Sequence, residues 1–549
     1  MKPSKRLIAI FLGVLILVGT IGGCTPKEQK QGSKNVSTSS DSNADNGKSY
    51  LNKEGFPIVN EPITLTAMAS RNVAVQPEFK DIYVWQEYEK MTGITIEWQE
   101  VPSSDLAEKR NLALASGEFP DLFIRGGIPD IDLVKYGEQG TFINLKELID
   151  EYGPNLKKIM ENEPDVKRGL VEHNGNIYGY PTVYFSDPVQ ISTRLFINTK
   201  WLEKVNLGMP STTDELYEVL KAFRDTDLNG NGKKDEIPWT SNGLGYLFNM
   251  LKGAWGLQNR GSSHPNVDIN EKTGELRFIP TSDQYKDMLE YMHRLYSEKL
   301  IDEEIFTMDH AQLVAKGEQN LVGSFASVNS QLIGSTHEKE FAGIEVALKG
   351  PNGDQLWTPK SASLAAKGPF VITNKCKYPE AAVRWVDYFY SDEGTRLFYM
   401  GVEGVTYEKK ADGSYEFLEE IKKIPEGSSF DHVLGKWVPY MGGGNPAILK
   451  TEYFKGGETQ PIPLKASTNM APYTPKELWS KFSYFPQEVE RMAELENDIL
   501  TYITQMNAQF IMGTTTFDQW DDYVKQIEKM GLEEYMKIYQ TAYDRYSKN

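Results

Sequence analysis

The sequence predicts an α/β fold divided into lobes, and three observations carry that prediction. Strand-like and helix-like runs alternate between Ile63 and Ile124, the pattern of a parallel sheet with helices on its faces. A chain of 549 residues exceeds one ordinary domain and suggests roughly two to four lobes or domains. Cys24 and Cys376 are the only cysteines, so a large apolar core must hold the exported protein without an intrachain disulfide.

The N-terminus sets the compartment. Lys2, Lys5 and Arg6 precede an apolar run from Leu7 to Val18, and small residues follow up to Cys24. This is a secretory signal, too short and too early for a spanning helix of the mature protein. Ile21-Gly22-Gly23-Cys24 resembles the bacterial lipobox, which makes residues 1–23 a signal peptide and Cys24 a lipidated first residue; the other reading is an uncleaved anchor. Acyl chains contribute about 0.8 kcal/mol per buried CH₂, so an acylated Cys24 would hold the protein on the extracellular face of the cell membrane. From Pro26 to about Ser49 almost nothing is apolar, and residues 24–60 are assigned to the acylated Cys and a flexible tether. With Asp+Glu at 77 against Lys+Arg at 59 and no long basic run, nucleic acid is excluded as a partner. The 29 Tyr and 10 Trp exceed what a core needs and suggest rings available for stacking on a ligand.

The ordered chain is expected to open with a strand from Ile63 to Met68 and the polar loop Ser70-Arg71-Asn72. Ile82, Trp85 and Tyr88 share a helix face ahead of Gly93 as a stop, and Ile94, Ile96 and Trp98 alternate as in a half-buried strand. A helix over about 104–116 is stopped by Gly117 and leads to a short strand, Leu122–Ile124. Ligands of such sheets bind beyond the carboxyl ends of the strands, where Arg71, Asn72 and Arg125 fall. Asn144 and Glu147 make a helix start ahead of Leu145, Leu148, Ile149 and Tyr152. Asn174-Gly175 marks a turn, and Tyr178, Tyr180, Tyr184 and Phe185 are divided between core and surface in a way the sequence leaves open. A strand over 195–197 precedes the capping box Thr212-Thr-Asp-Glu215 and a helix carrying Leu216, Val219, Leu220 and Phe223. A long helix from Ser282 turns Tyr285, Met288, Leu289, Met292 and Leu295 inward. Later come short strands near Val322 and Gly343, a strand over 370–373, a helix opened by Pro379 and a Gly/aromatic loop from Trp437 to Gly444. In the longest closing helix Met492, Leu495, Ile499, Ile503 and Phe510 keep one apolar stripe.

Between the Thr212 helix and Trp239 lies Asp225-Thr-Asp-Leu-Asn229-Gly-Asn231-Gly-Lys233-Lys-Asp235-Glu236, with oxygen-bearing side chains at alternate positions around two glycines. A hard cation such as Ca²⁺ takes six to eight oxygen ligands, and the segment fits the EF-hand loop pattern in two registers. Opening at Asp225 puts Lys233 at a ligand position. Opening at Asp227 uses Asp227, Asn229, Asn231, the Lys233 carbonyl, Asp235 and Glu236, wastes no carboxylate and is preferred. The same residues also make an Asx-rich turn with no ion. One loop without a partner loop argues for a structural Ca²⁺ and against a sensor.

Enzyme signatures are absent: no G-x-S-x-G, H-E-x-x-H, C-x-x-C, P-loop or G-x-G-x-x-G occurs, and six His leave few candidates for acid–base work. Paired carboxylates stay open, since 77 acidic residues offer many pairs.

The chain resembles the bacterial extracellular solute-binding proteins of family 1, the lipoprotein subunits of carbohydrate ABC importers. The carriers are Ile197-Asn-Thr-Lys-Trp201-Leu, Pro210-Ser-Thr-Thr-Asp-Glu215-Leu and Asn229 through Pro238, supported by Tyr388-Phe-Tyr-Ser-Asp-Glu-Gly394 and the tail from Phe517 to Tyr546. The subgroup is similar to long Gram-positive lipoproteins and to alginate-oligosaccharide binders that carry a structural calcium. The resemblance implies a type II periplasmic-binding-protein-like fold of two α/β lobes with a hinge and a ligand cleft. It assigns 61–185 plus 366–405 to the N-terminal lobe, and 186–365 plus 406–549, with the cation loop 225–236, to the C-terminal lobe. A monomeric binding protein is implied, handing a carbohydrate to ABC permease subunits, with Arg71, Arg125, Tyr184, Trp239, Trp255, Trp357, Trp437 and Tyr440 as cleft candidates. The competing readings are a cell-surface polysaccharide-active enzyme and a surface binding protein with no transport role.

Overall fold

The structure, a computed structural model, describes residues 50–73, 76–425, 430–439 and 444–548. The leader, Cys24, the tether up to residue 49 and Tyr440 lie outside them. Fourteen strands run in the order β1 (Ile63–Arg71), β2 (Ile94–Pro102), β3 (Leu122–Ile124), β4 (Tyr180–Phe185), β5 (Arg194–Asn198), β6 (Ile237–Ser241), β7 (Val267–Ile269), β8 (Leu276–Phe278), β9 (Val322–Ser327), β10 (Phe341–Gly343), β11 (Leu364–Ile372), β12 (Tyr407–Lys409), β13 (Tyr415–Phe417) and β14 (Ile448–Lys450). Two sheets carry the body: β14-β4-β11-β3-β1-β2 and β10-β5-β9-β6; β7-β8 and β12-β13 are small hairpins.

The expected alternation from Ile63 to Ile124 is present, with β1 parallel to both β2 and β3. Gly93 and Gly117 end the intervening helices at φ 75° and 76°, the left-handed region a side chain resists. Because side chains alternate across a strand, each sheet feeds two cores. Leu65, Ala67, Ala69, Leu122, Ile124, Phe370 and Ile372 face one, and Met68, Phe123 and Val371 the other. In the second sheet Leu195 and Ile197 face a core opposite to that of Phe196, so one slip in register would exchange the two sets.

Local details depart from expectation in instructive places. Asn144 does not cap its helix; its Oδ1 accepts from Lys146 N (3.1 Å) and Ile177 N (3.3 Å), tying the helix start to the turn at Gly175. Thr212 caps Glu215 N at 3.0 Å, but the Glu215 carboxylate turns to Ser211 N and Oγ, both at 2.7 Å, so only half of the box forms. The folded body starts earlier than residue 61: Ile58 and Val59 are buried, and the Tyr50 hydroxyl donates to Glu380 at 2.9 Å. β14 pairs with β4, and Tyr407 and Phe417 lie in the first sheet's core, so residues from the last third of the chain complete that sheet.

The chain passes between the sheets after β4, after β10 and after β14. The first two passages lie side by side: Ile191 bridges Lys360 in antiparallel fashion, Ser192 N donates to Pro359 O (2.8 Å) and Ser361 N to Gln190 O (3.0 Å). Beneath them Arg194 is fully buried. Its guanidinium donates to Pro463 O (3.2 Å), to Ser467 Oγ (2.8 Å) and to the carbonyls of Pro188 and Val328. Burial pulls its pKa down to about 10. Replacing Arg194 by Met should cost about 3 kcal/mol in urea unfolding, because several buried acceptors lose their donors together. Arg194→Lys should recover little of it, since a point charge cannot span the fork.

The C-terminal helices 486–512, 520–529 and 532–548 pack with helix 283–297 in the core of the second sheet, as the apolar stripe predicts. His264 pins this tail: Nε2 lies 2.8 Å from Ser480 O, and Nδ1 meets the Tyr539 hydroxyl. Burial holds the imidazole near pKa 4, below its unfolded value of about 6.5. A depressed folded pKa gives stability that is complete above 6.5 and is lost as pH falls toward the folded value. The stability advantage of wild type over His264→Gln, measured by urea unfolding, should therefore shrink by about 3 kcal/mol between pH 6.5 and 4.

Candidate ligand cleft and cation loop

β1, β3, β4 and β14 all point the same way in the first sheet, so their carboxyl ends share one rim. A cavity of about 400 Å³ opens at that rim, where parallel strands leave backbone and loops free to meet a ligand. Asn72 and Gln76 enter it from the loop after β1, Tyr184 from β4 and Leu449 from β14. The opposite wall belongs to the second sheet: Ser192 lies just ahead of β5, and Val328 and Asn329 follow β9. A groove of about 860 Å³ continues outward, sharing Asn329, Asp431, Gly456 and Gly457 with the inner cavity.

The polar groups here are held in place. Gln76 is locked to Asn72 by reciprocal bonds of 2.9 Å (Asn72 N to Gln76 Oε1, Gln76 N to Asn72 O), and its Nε2 donates to Pro439 O. Asn329 Oδ1 accepts from Gln331 N at 3.1 Å, which fixes the amide at the turn after β9. A Cβ at Gly457 would stand 2.7 Å from Asn329 Nδ2, so a larger residue there would push the amide out of place. Asp431 and Glu458 bring carboxyl groups into the cavity, and no Lys, Arg or His is among its described lining residues. Partial burial raises the Asp431 pKa, and burial likewise raises that of the Tyr184 hydroxyl.

Of the eight cleft candidates, the cavity brings in Tyr184. Trp239, Trp255 and Trp357 are at most 2% exposed and sit in the second sheet's core. The structure gives those rings to packing, Trp239 from β6, Trp255 from a short helical turn and Trp357 from the irregular chain between β10 and β11. Arg71 pairs with Glu100 at 3.0 Å, and Arg125 takes φ 52° just after β3, its N donating to Pro369 O (2.6 Å). Neither lines the cavity. Trp437 lies edge-on to Tyr83 at 5.5 Å, while its neighbours Gly435 and Val438 reach the cavity. Asn72, at the strand end where a ligand is expected, is there. Gln76, Asn329, Asp431, Phe454 and Glu458 carry no local motif and are gathered only by the fold.

The cation loop wraps around Asp227. Its two carboxylate oxygens accept from Gly230 N (2.8 Å) and Gly232 N (2.9 Å), and both glycines are left-handed at φ 79° and 81°. Asp235 takes the amides of Asn229 (3.2 Å) and Asn231 (2.9 Å), which lowers its pKa, the Asn231 contact most. Glu236 Oε1 accepts from Leu228 N at 2.6 Å, whereas its buried Oε2 has no hydrogen-bond partner. An orphaned carboxylate oxygen among amide and carbonyl oxygens is a donor set that suits a hard cation. Asp225 turns outward to Arg224 (2.8 Å), which supports the register opening at Asp227. Among the described residues no group of three or more His, Cys, Asp or Glu is gathered as for a metal, so an ion here would depend on Asn and main-chain oxygens.

The model of the family described as bacterial extracellular solute-binding protein matches residues 73–396. The chain is 29% identical over 531 residues to the fructooligosaccharide ABC transporter substrate-binding protein FusA of Streptococcus pneumoniae, covering 94% of this chain and 95% of FusA. FusA in complex with kestose superposes with a TM-score of 0.71 at 28% identity, over 89% of this chain and 100% of that one, and an EF-hand mutant of FusA with fructo-nystose at 0.70. Lipoprotein LipO of Bacillus subtilis is 29% identical over 479 residues, 83% of this chain and 88% of LipO. The alginate-binding protein AlgQ2 without calcium ion superposes at 0.68 with 25% identity, over 88% of this chain and 99% of AlgQ2. FusA and AlgQ2 are binding proteins by their descriptions, and no helix among the described residues is long and apolar enough to cross a membrane. The fold is the type II periplasmic-binding-protein-like arrangement, and with more than half its length matched the chain belongs to the family of bacterial extracellular solute-binding proteins.

Proposed function

We propose that the protein is a monomeric, lipid-anchored binding protein that captures a neutral oligosaccharide between its two sheets and delivers it to the permease subunits of an ABC importer. The observation that carries this reading is the cavity at the strand carboxyl ends. Asn72, Gln76, Ser192 and Asn329 offer uncharged hydrogen-bonding groups, Tyr184 and Phe454 offer rings, and the described wall carries the carboxyl groups of Asp431 and Glu458 with no Lys, Arg or His of its own. Carboxylates accept from sugar hydroxyls but repel uronates. The outward groove gives room for several sugar units. The kinship with FusA supports a fructose-containing ligand. Cys24 would carry the lipid, as the kinship with a lipoprotein supports. The lobes would follow the two sheets, with residues 406–455 travelling with the first because β14 pairs with β4. Closure by ligand would come from preferential affinity for the closed state.

Calorimetric titration tests the ligand class. Neutral fructo-oligosaccharides should bind at least about tenfold more tightly than oligogalacturonates, a gap of ~1.4 kcal/mol. Tyr184→Ala should cost about 1–2 kcal/mol of that affinity. Tighter binding of uronates, or binding of peptides alone, would sink the assignment. Asp431 and Glu458 also favour a second reading, glycoside hydrolysis by two carboxyl groups. It requires new reducing ends after prolonged incubation with oligosaccharide; the binding role requires the ligand to be recovered intact.

The loop from Asp227 to Glu236 would hold a structural Ca²⁺ through Asp227, Asn229, Asn231, the Lys233 carbonyl, Asp235 and Glu236, where the ion would supply the charge that the Glu236 carboxylate lacks. Chelation should lower the unfolding free energy, and Ca²⁺ at a hundredfold excess over its Kd should restore about 2.7 kcal/mol. Glu236→Gln should abolish the Ca²⁺ response while oligosaccharide still binds. An unchanged unfolding midpoint with EDTA would reduce the loop to a turn.

A further inference from the structure

A second cavity, of about 340 Å³, shares no lining residue with the cleft. One wall comes from elements of the first sheet, with Asp130 on helix 130–138 and Lys367 on β11; the other comes from the C-terminal helices, with Glu496, Tyr535 and Tyr539. Most charges in this wall are already balanced. Lys367 pairs with Glu172 at 3.0 Å, both 1% exposed, and the second Glu172 oxygen accepts the Ser483 hydroxyl at 2.6 Å. Lys481 pairs with Asp130 at 2.8 Å, and burial keeps His264 neutral. Glu496 is the exception: it is half-buried and has no ion pair or hydrogen bond among the described residues.

Aromatic rings share the cavity with that carboxylate. Tyr484, Tyr535 and Tyr539 line the same cavity, with Tyr539 lying 6.4 Å from Tyr484, 5.9 Å from Tyr535 and 5.7 Å from Phe482. Burial raises the pKa of all three tyrosines, with the Glu496 charge adding to it, and burial raises the Glu496 pKa as well. Val489 and Met492 add apolar surface. A carboxylate without an ion pair in a cavity lined by tyrosine rings and alkyl groups disfavours anions and suits a cation that also carries alkyl groups.

We propose that this cavity binds a small organic ammonium ion, with the cationic nitrogen against Glu496 and the tyrosine rings and its alkyl groups against Val489 and Met492. The site is separate from the carbohydrate reading and stands if that reading fails. Because its walls come from elements attached to both sheets, any change in their spacing on sugar capture alters the cation's affinity, and linkage makes the effect reciprocal.

The test titrates the mature protein with choline and, in parallel, with 3,3-dimethyl-1-butanol, its uncharged isostere, following both by calorimetry. Choline should bind saturably and the isostere at least about tenfold more weakly. Glu496→Gln should weaken choline about tenfold while leaving oligosaccharide affinity and melting temperature as in wild type. No saturable choline binding, equal binding of the isostere, or unchanged choline affinity in Glu496→Gln would each overturn the assignment. The isostere comparison uses wild type alone, so it decides the matter even if the variant folds poorly.

Discussion

Arg194 is the residue on which the arrangement of the two sheets depends. A guanidinium with no exposed surface normally pairs with a carboxylate, yet this one spends its donors on main-chain carbonyls and a hydroxyl. Those partners belong to different stretches: Pro188 to the first passage between sheets, Val328 to the end of β9, Pro463 and Ser467 to the helix that follows the last passage. Without the guanidinium, the carbonyls of Pro188 and Val328 would lose a donor. One planar fork satisfies them together and so fixes where the cleft floor lies. The charge is eased by Glu458, which lines the cleft and raises the Arg194 pKa against the pull of burial. The cleft's carboxylate and the cation beneath it are thus parts of one electrostatic arrangement.

The cleft itself follows from strand direction. Four strands of the first sheet end at one rim, and polar loops collect there because strand ends leave the main chain unpaired. What collects is amide, hydroxyl and carboxyl chemistry with two rings, a surface matched to many weak hydrogen bonds and poorly matched to fixed negative charge. The arginines that flank the rim are engaged elsewhere, Arg71 with Glu100 and the Arg125 guanidinium with Ser70 O at 3.4 Å.

How much of this was legible in the sequence depends on range. The β1-to-β3 unit is local, and its helices are ended by Gly93 and Gly117, so alternation and stop signals sufficed. β11 could be read as a strand but not placed, since its insertion between β3 and β4, antiparallel to both, joins segments well over a hundred residues apart. The same limit governs the site. Tyr184 and Asn72 sit at strand ends and could be named, whereas Asp431 and Glu458 reach the cavity through the path of the last third of the chain. The tryptophans misled for a physical reason: a large ring has the same composition signature whether it stacks on a sugar or fills a core, and Trp239, Trp255 and Trp357 fill the core. The Asp227 loop was legible as a tight Asx- and Gly-rich turn because the residues that hold it lie within ten positions of one another.

The two hydrogen-bonded passages at Ile191 and Lys360 have a mechanical consequence. A single strand linking two bodies can bend and twist alike, but two strands zipped edge to edge form a ribbon, stiff against shear in its own plane and soft only to folding across its width. Lys360 also pairs with Asp187 at 2.7 Å, which adds to the hydrogen bonds that resist sliding of the ribbon's edges. About these two passages the easiest relative motion of the sheets is therefore folding across the ribbon, with the third passage, after β14, as a separate tether.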